Sequence, residues 1–211
     1  MGSIKMVLNM LMLNLPVEKI GGEMYELLTM ANRTTEDVFS LLDNLLKWTK
    51  SQIGNLNVVY QDVDAVEVVD SVIDVFNMVA GLKKITIREE KPEKLPVCTD
   101  IDMLKTIIRN LLSNAIKFSN ENSEVLVKME EQGDTVVVSV KDSGCGIDEE
   151  GQQKLLHTDT HFSTFGTNNE EGSGLGLLLC QDFAVKSGGK LWFTSKKGEG
   201  STFYFSIPLK K

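Results

Sequence analysis

Three polar side chains share one stripe of a leucine-rich segment. In NLLSNAIKFS, residues 110–119, Asn110, Asn114 and Lys117 recur at i, i+4 and i+7 and fall on one helix face. Leu104, Ile108, Leu111, Ala115 and Phe118 line the opposite, core-facing side. A helix-interior asparagine costs about 0.5 kcal/mol against alanine, because its amide competes for backbone hydrogen bonds. A stripe of this kind is expected to bind something, with a plain polar outer face as the alternative. A second segment, DSGCGI at 142–147, directly follows the strand-like run TVVVSVK. Asp142 can accept a hydrogen bond from a neutral donor such as an exocyclic amine, and Gly144 and Gly146 allow a tight turn with no side chain in a ligand's way. A third, GSGLGL at 172–177, opens a helix. Gly172, Gly174 and Gly176 leave backbone N–H groups free where the helix dipole is positive, which favours a phosphate. The spacing is not the dinucleotide-binding G-x-G-x-x-G after a strand, and no Walker lysine is present. In GEGSTFYF, Thr202 begins the last strand and can reach the base of a pocket. Singly, these pieces also read as a common turn, a flexible helix start and a strand former.

The elements that must hold them are legible in outline. IDMLKTIIRNLLSNAIKF reads as a helix capped by Asp100. EVLVKMEEQGDTVVVSVKD reads as a hairpin turning at Gln132–Asp134, and KLWFTSKKGEGSTFYFSIP as a second hairpin after the helix LGLLLCQDFAVKSGG. Upstream, LNVVYQDVD, ITIREE and PVCTD read as strands, and AVEVVDSVIDVFNMVAGLKK as an amphipathic helix. A polar stretch runs from about Asp148 to Gly172. Helices and strands mix without strict alternation, so the expected class is α+β, a two-layer sandwich. Ahead of it, residues 4–15 are helical in composition up to Pro16, and a long helix is expected from about Met24 to Asn55. A rod of roughly 45 Å at 1.5 Å per residue, with an apolar seam, suits a coiled coil or bundle. The expected assembly is a four-helix dimer of two such hairpins, and packing on its own domain is the alternative.

Bulk properties exclude several classes. The chain has 211 residues, 42% of them hydrophobic and 25% charged, which suits a soluble globular protein with a sizeable core. A net charge of -8 disfavours nucleic acid or an anionic membrane as partner. Cys98, Cys145 and Cys180 are scattered and unpaired in sequence, as in a reducing cytoplasm, and Cys145 between two glycines is the one to watch for reactivity. No stretch reads as a membrane span or a signal peptide.

Together and in this order, the segments resemble the ATP-binding domain shared by sensor histidine kinases, gyrase-type topoisomerases, Hsp90 chaperones and mismatch-repair ATPases. NLLSNAIKF is similar to that family's N box, DSGCGI to its first glycine box and GSGLGL to its second. HFSTFGTNNEEGSGLGL resembles the aromatic and lid segment of histidine kinases, and LLDNLLKWTKSQIGNL the second helix of their dimerisation domain. The resemblance covers roughly residues 57–209. It implies a Bergerat-type fold at 57–211 and a partial dimerisation hairpin at 1–56. It implies ATP and Mg2+ as ligands. Asn114 then offers an amide oxygen to Mg2+ and Asn110 supports the triphosphate region. Lys117 contacts phosphate, and Asp142 holds the adenine amino group with Thr202 beside it through water. Gly144 and Gly146 shape the pocket floor, while Gly172, Gly174, Leu175 and Gly176 form the phosphate cradle. The implied activity is transfer of the γ-phosphoryl group to a histidine, for relay to a response regulator receiver domain. Asn110 and Lys117 are the expected catalytic positions.

Two departures qualify this. The only histidines, His157 and His161, lie in LLHTDTHFST, with neither the motif nor the place of a phospho-acceptor, and SIKMVLNML resembles the segment just after that motif. The chain is therefore expected to begin beyond its acceptor and not to autophosphorylate alone. It is expected to be cytoplasmic, with the parent protein open to a membrane anchor. Between Leu155 and Val185 there is also no Lys or Arg, so phosphate neutralisation rests on Mg2+, Lys117 and backbone N–H groups. That scarcity keeps open a non-catalytic nucleotide-binding scaffold, and an anti-sigma-type serine kinase shares the pocket. A hydrolysing ATPase is disfavoured by Asn110, because such relatives carry a glutamate there as general base and an amide cannot take that proton.

Overall fold

The structure, a computed structural model, describes Met10 and residues 21–52, 57–155, 166–167 and 174–209. The chain divides into two compact units, residues 1–49 and 50–211. The described part of the first is essentially helix α1, Gly22–Gln52. Four threonines sit inside this helix without breaking it. Thr29, Thr34 and Thr35 each turn their hydroxyl back onto the carbonyl four residues earlier, at 2.7–2.9 Å. Met24, Leu27, Met30, Val38, Leu42, Leu45 and Leu46 are exposed along it. Of the helix expected at residues 4–15 only Met10 is described, and it is helical; the end at Pro16 and the continuation of α1 to Asn55 lie outside the described residues.

The second unit is a two-layer α+β sandwich. Its elements are β1 (Gln61–Asp64), α2 (Ala65–Leu82), β2 (Thr86–Glu90), β3 (Pro96–Thr99) and α3 (Ile101–Phe118). After these come β4 (Glu124–Gln132), β5 (Thr135–Lys141), α4 (Glu149–Lys154), α5 (Gly176–Lys186), β6 (Leu191–Lys196) and β7 (Gly200–Pro208). The main sheet runs β2-β4-β5-β7-β6, with β2 and β4 parallel and the other neighbours antiparallel. β1 pairs with β3 in a separate two-stranded ribbon. The first strand starts later than its sequence suggests, at Gln61, because its antiparallel partner β3 ends opposite it at Thr99, where Asp100 turns the chain into the next helix. The residues before it are held differently: Val59 N–H donates to Asp100 Oδ2 at 2.9 Å and the Tyr60 hydroxyl to Lys186 O at 2.7 Å. The polar stretch after Asp148 contains α4, capped by the Asp148 carboxylate through Gly151 N–H.

Alternation explains the sheet's inner face. Val125, Val127 and Met129 on β4, Val136, Val138 and Val140 on β5, and Phe203, Phe205 and Ile207 on β7 are all buried. The β4–β5 loop puts Gly133 at φ 63, the residue a type II′ turn needs at its first position. Helix α3 is capped by Asp100, whose Oδ1 accepts from Asp102 N at 2.9 Å and Met103 N at 3.1 Å. It packs against both α2 and α5, so its buried arc is wider than the sequence stripe. Met103, Ile107, Leu112 and Ile116 are buried beside Leu104, Ile108, Leu111 and Ala115, whereas Phe118 is only half-buried. The less buried positions on α3 include Asn110, Asn114 and Lys117. No helix among the described residues is long and apolar enough to cross a membrane.

Candidate nucleotide site

The inward alternation of β5 continues one residue past the strand and delivers Asp142 to the helix-facing side. Its main chain keeps the ladder going, with Asp142 N–H donating to Ser201 O at 2.9 Å. Its side chain is buried, at 4% exposure. Oδ1 accepts from Gly144 N at 2.9 Å and Ser201 N at 3.2 Å. Both bonds fall on one oxygen, so Oδ2 is the acceptor this group can offer a ligand. Burial pushes the carboxyl up from its ordinary value, and the backbone N–H bonds oppose that rise. The two glycines beyond it are closed on by backbone. A Cβ on Gly144 would lie 2.1 Å from Phe118 O, and one on Gly146 would lie 2.0 Å from Lys196 O with φ at 61. The loop is thus wedged between the end of α3 and the β6–β7 hairpin, and Gly198 N–H donates to Cys145 O at 2.7 Å across that seam.

The stripe on α3 presents its three residues half-buried. Asn110 Nδ2 donates to Thr106 O at 2.9 Å, which anchors the amide to its own helix. Its Oδ1 faces the start of α5, where a Cβ on Gly176 would lie 2.6 Å away. Gly176 is therefore the residue that lets α5 close on Asn110. Leu175, in the cap position of α5, makes no side-chain cap bond, and Gly174 adopts φ 67. The first-turn N–H groups of α5 have no carbonyl four residues back within the helix, so they are the natural donors to an anion. Lys117 Nζ rests 4.9 Å above the Phe118 ring. The site thus joins a buried acceptor at one end to amide, ammonium and helix-start N–H groups at the other, a set suited to an amino-substituted base with a polyphosphate.

Comparison with known proteins agrees with this arrangement. The family described as histidine kinase-, DNA gyrase B-, and HSP90-like ATPase matches residues 99–211. The chain belongs to this family. The adaptive-response sensory kinase SasA of Rippkaea orientalis is 30% identical over 171 residues, 80% of this chain and 43% of the relative. The phytochrome-like protein Cph1 of Synechocystis is 31% identical over 172 residues, 81% of this chain and 22% of that protein. A nucleotide-free catalytic domain of the histidine kinase ThkA superposes with a TM-score of 0.62 at 29% identity, over 72% of this chain and 96% of that one. The full-length kinase ShkA gives a TM-score of 0.73 over 99% of this chain and 44% of that one, a likeness of fold at 22% identity. Within the family the chain stands with the sensor histidine kinases, as their ATP-binding catalytic region. It spans less than half the length of the curated relatives named.

Placed on this family's layout, the sequence-assigned residues fall into three groups. Asp142, Gly144 and Gly146 form one connected cluster, and Asn110 meets Gly176 directly. Gly172, His157 and His161 lie outside the described residues. Thr202 does not join the Asp142 cluster. It pairs with Lys141 and Thr194 and faces away from the buried side of β7, while the contact to Asp142 is made by its neighbour Ser201. The sequence carried the signal, since Ser201 shares parity with the apolar Phe203, Phe205 and Ile207 whereas Thr202 does not. Ser195 was also missed. Its hydroxyl lies 2.9 Å from that of Ser201 and accepts from Ile147 N–H at 2.8 Å, tying the first glycine loop to the last hairpin. Of the cysteines, Cys180 is buried, whereas Cys98 and Cys145 are exposed.

Proposed function

We propose that this region binds ATP with Mg2+ and transfers the γ-phosphoryl group to a histidine on a dimerisation helix, for relay to the receiver domain of a response regulator. Asp142 Oδ2 takes the adenine amino N–H in a dry pocket, where a hydrogen bond is stronger than in water. Ser201, through its backbone N–H, fixes the carboxylate's other oxygen. Lys117 and the N–H groups at the start of α5 meet the phosphates. Asn114 is the metal ligand: its neutral, hard amide oxygen suits Mg2+, which takes its remaining ligands from phosphates and water. Among the described residues no group of three or more His, Cys, Asp or Glu is placed to hold a metal. The ion, when bound, spreads the negative charge of the phosphates.

The observation that carries the transfer reading is Asn110. Its amide is bonded to its own helix and packed on Gly176, in the place where hydrolysing relatives carry a general base. A water there would lose no proton to it, while phosphoryl transfer needs mainly alignment and charge neutralisation. The apolar residues exposed along α1 support a second copy of the chain as its pairing partner. The test is incubation with γ-labelled ATP and a separate dimerisation domain that carries an acceptor histidine. Label that is lost in acid and kept in base, on that domain only, supports the proposal. Nucleotide binding without any transfer would favour the scaffold reading, which the scarcity of cations between Leu155 and Val185 also motivates.

A further inference from the structure

The end of α3 is held by a buried charge from another helix. Lys83 comes directly after α2, and Lys84, at φ 55, turns the chain away into β2. Lys83 is 7% exposed, although lysine is rarely buried unless its ammonium is paired. Its Nζ donates to Ile116 O at 3.0 Å, Lys117 O at 2.9 Å and Thr167 Oγ1 at 2.6 Å. The last carbonyls of a helix have no intrahelical partner and sit at the negative end of its dipole, so a cation there is doubly favoured. Thr167 grips the same place. Its N–H donates to Lys117 O at 3.1 Å, and its hydroxyl reaches Ser119 O at 2.8 Å while accepting from Lys83. The carbonyl of Lys117 is thus fixed by both Lys83 and Thr167. Phe118 O, the next in line, accepts from Cys145 N–H at 3.4 Å.

We infer that Lys83 and Thr167 form a clasp that positions Lys117 for the phosphates, with Lys83 acting as a positioning residue that itself touches no ligand. This rests on the nucleotide reading of the site. A carbonyl held from two sides fixes the last turn of α3 in place. The direction in which Lys117 leaves that turn sets where its ammonium meets a polyphosphate. Asp142, at the other end of the site, is held by separate bonds to Gly144 and Ser201. Loosening the clasp therefore acts on phosphate recognition and leaves the base end intact.

The experiment compares Lys83→Met and Thr167→Val with wild type. It measures affinity for a non-hydrolysable ATP analogue with Mg2+ and for adenosine. It also follows hydrogen exchange at the Thr167 amide without nucleotide. The expected result is about tenfold weaker binding of the triphosphate, the scale of one lost charged hydrogen bond, with adenosine affinity unchanged. Thr167→Ser, which keeps the hydroxyl, restores the wild-type ratio. In a Lys117→Met background, Lys83→Met changes that ratio no further. Exchange at Thr167 accelerates in both clasp variants. Equal weakening of triphosphate and adenosine, or wild-type binding by both folded variants, overturns the inference. If Lys83→Met does not fold, Thr167→Val decides by the same criteria. Failure of the wild type to bind either nucleotide sinks the nucleotide reading, and unaltered Thr167 exchange in the variants then removes the clasp as well.

Discussion

The two ends of the site are built from different materials. The Asp142 end is made of backbone: a carboxylate pinned by two main-chain N–H groups, and glycines whose missing side chains are occupied by carbonyls from α3 and β6. The Asn110–Asn114–Lys117 end is made of half-buried side chains on one helix face, opposed by the start of α5. Backbone cannot retreat without disturbing a strand or a helix, whereas a side chain can change rotamer. The first end is therefore expected to be rigid and intolerant, and the second graded in its response. This division suits the proposed ligand, a flat base joined to a flexible polyphosphate.

The largest effect expected from breaking this contrast is at Gly146. Gly146→Ala places a Cβ 2.0 Å from Lys196 O at φ 61, so either the loop or the hairpin must move. Overpacking of this kind costs about 1–3 kcal/mol or more in stability, and nucleotide binding is expected to disappear with it. Thermal unfolding and calorimetric titration read the two losses. Next is Lys117→Met, expected to weaken a Mg2+·ATP analogue by about 10- to 100-fold, the scale of a lost charge-assisted bond to phosphate, with adenosine binding unaffected. A weakening of both ligands alike would dissolve the contrast between the ends.

That contrast was partly legible in the sequence, and the reason differs for each end. The α3 stripe is a matter of helical period, so Asn110, Asn114 and Lys117 could be placed on one face from spacing alone. The width of the buried arc on α3 could not, because it depends on α2 and α5 packing on both flanks. Asp142 and its glycines were recognisable as a loop after a strand. Which backbone fills the space beside Gly144 and Gly146 depends on long-range packing that no local pattern encodes. Thr202 shows a misread strand parity, since the alternation of Phe203, Phe205 and Ile207 already assigned the inner face to Ser201. Lys83 was invisible, because a lysine after an amphipathic helix reads as a solvated C-terminal charge until the partner carbonyls are known.

Smaller effects sharpen the picture at the phosphate end. Gly176→Ala would put a Cβ 2.6 Å from Asn110 Oδ1, a side-chain atom that can move. A weakening of only about threefold to tenfold is expected, in line with a change of about 1 kcal/mol, and Asn110→Ala in the same chain should remove most of it. The smallest effect is on the thiols. Burial pushes the Cys180 thiol far up from its ordinary value, so it stays protonated and unreactive in the native state. A maleimide is expected to label Cys98 and Cys145 only, and a bound ATP analogue to slow labelling at Cys145, which lies between the pocket glycines.

Asp142→Asn tests the central claim most directly. The amide oxygen can keep both bonds made by Oδ1, while the NH2 group replaces Oδ2 and, in the proposed complex, would confront the adenine amino group with a donor. Burial raises the Asp142 carboxyl in the folded state, so its contribution to stability is complete below the ordinary carboxylate value and is lost as pH rises through the raised one. The asparagine variant is therefore expected to unfold at a higher temperature than wild type at neutral pH, an advantage that fades in acid. Calorimetric titration of both proteins with a non-hydrolysable ATP analogue and Mg2+ is the measurement. The account predicts binding by wild type and none by the more stable variant. Equal binding by a folded Asp142→Asn protein would contradict it.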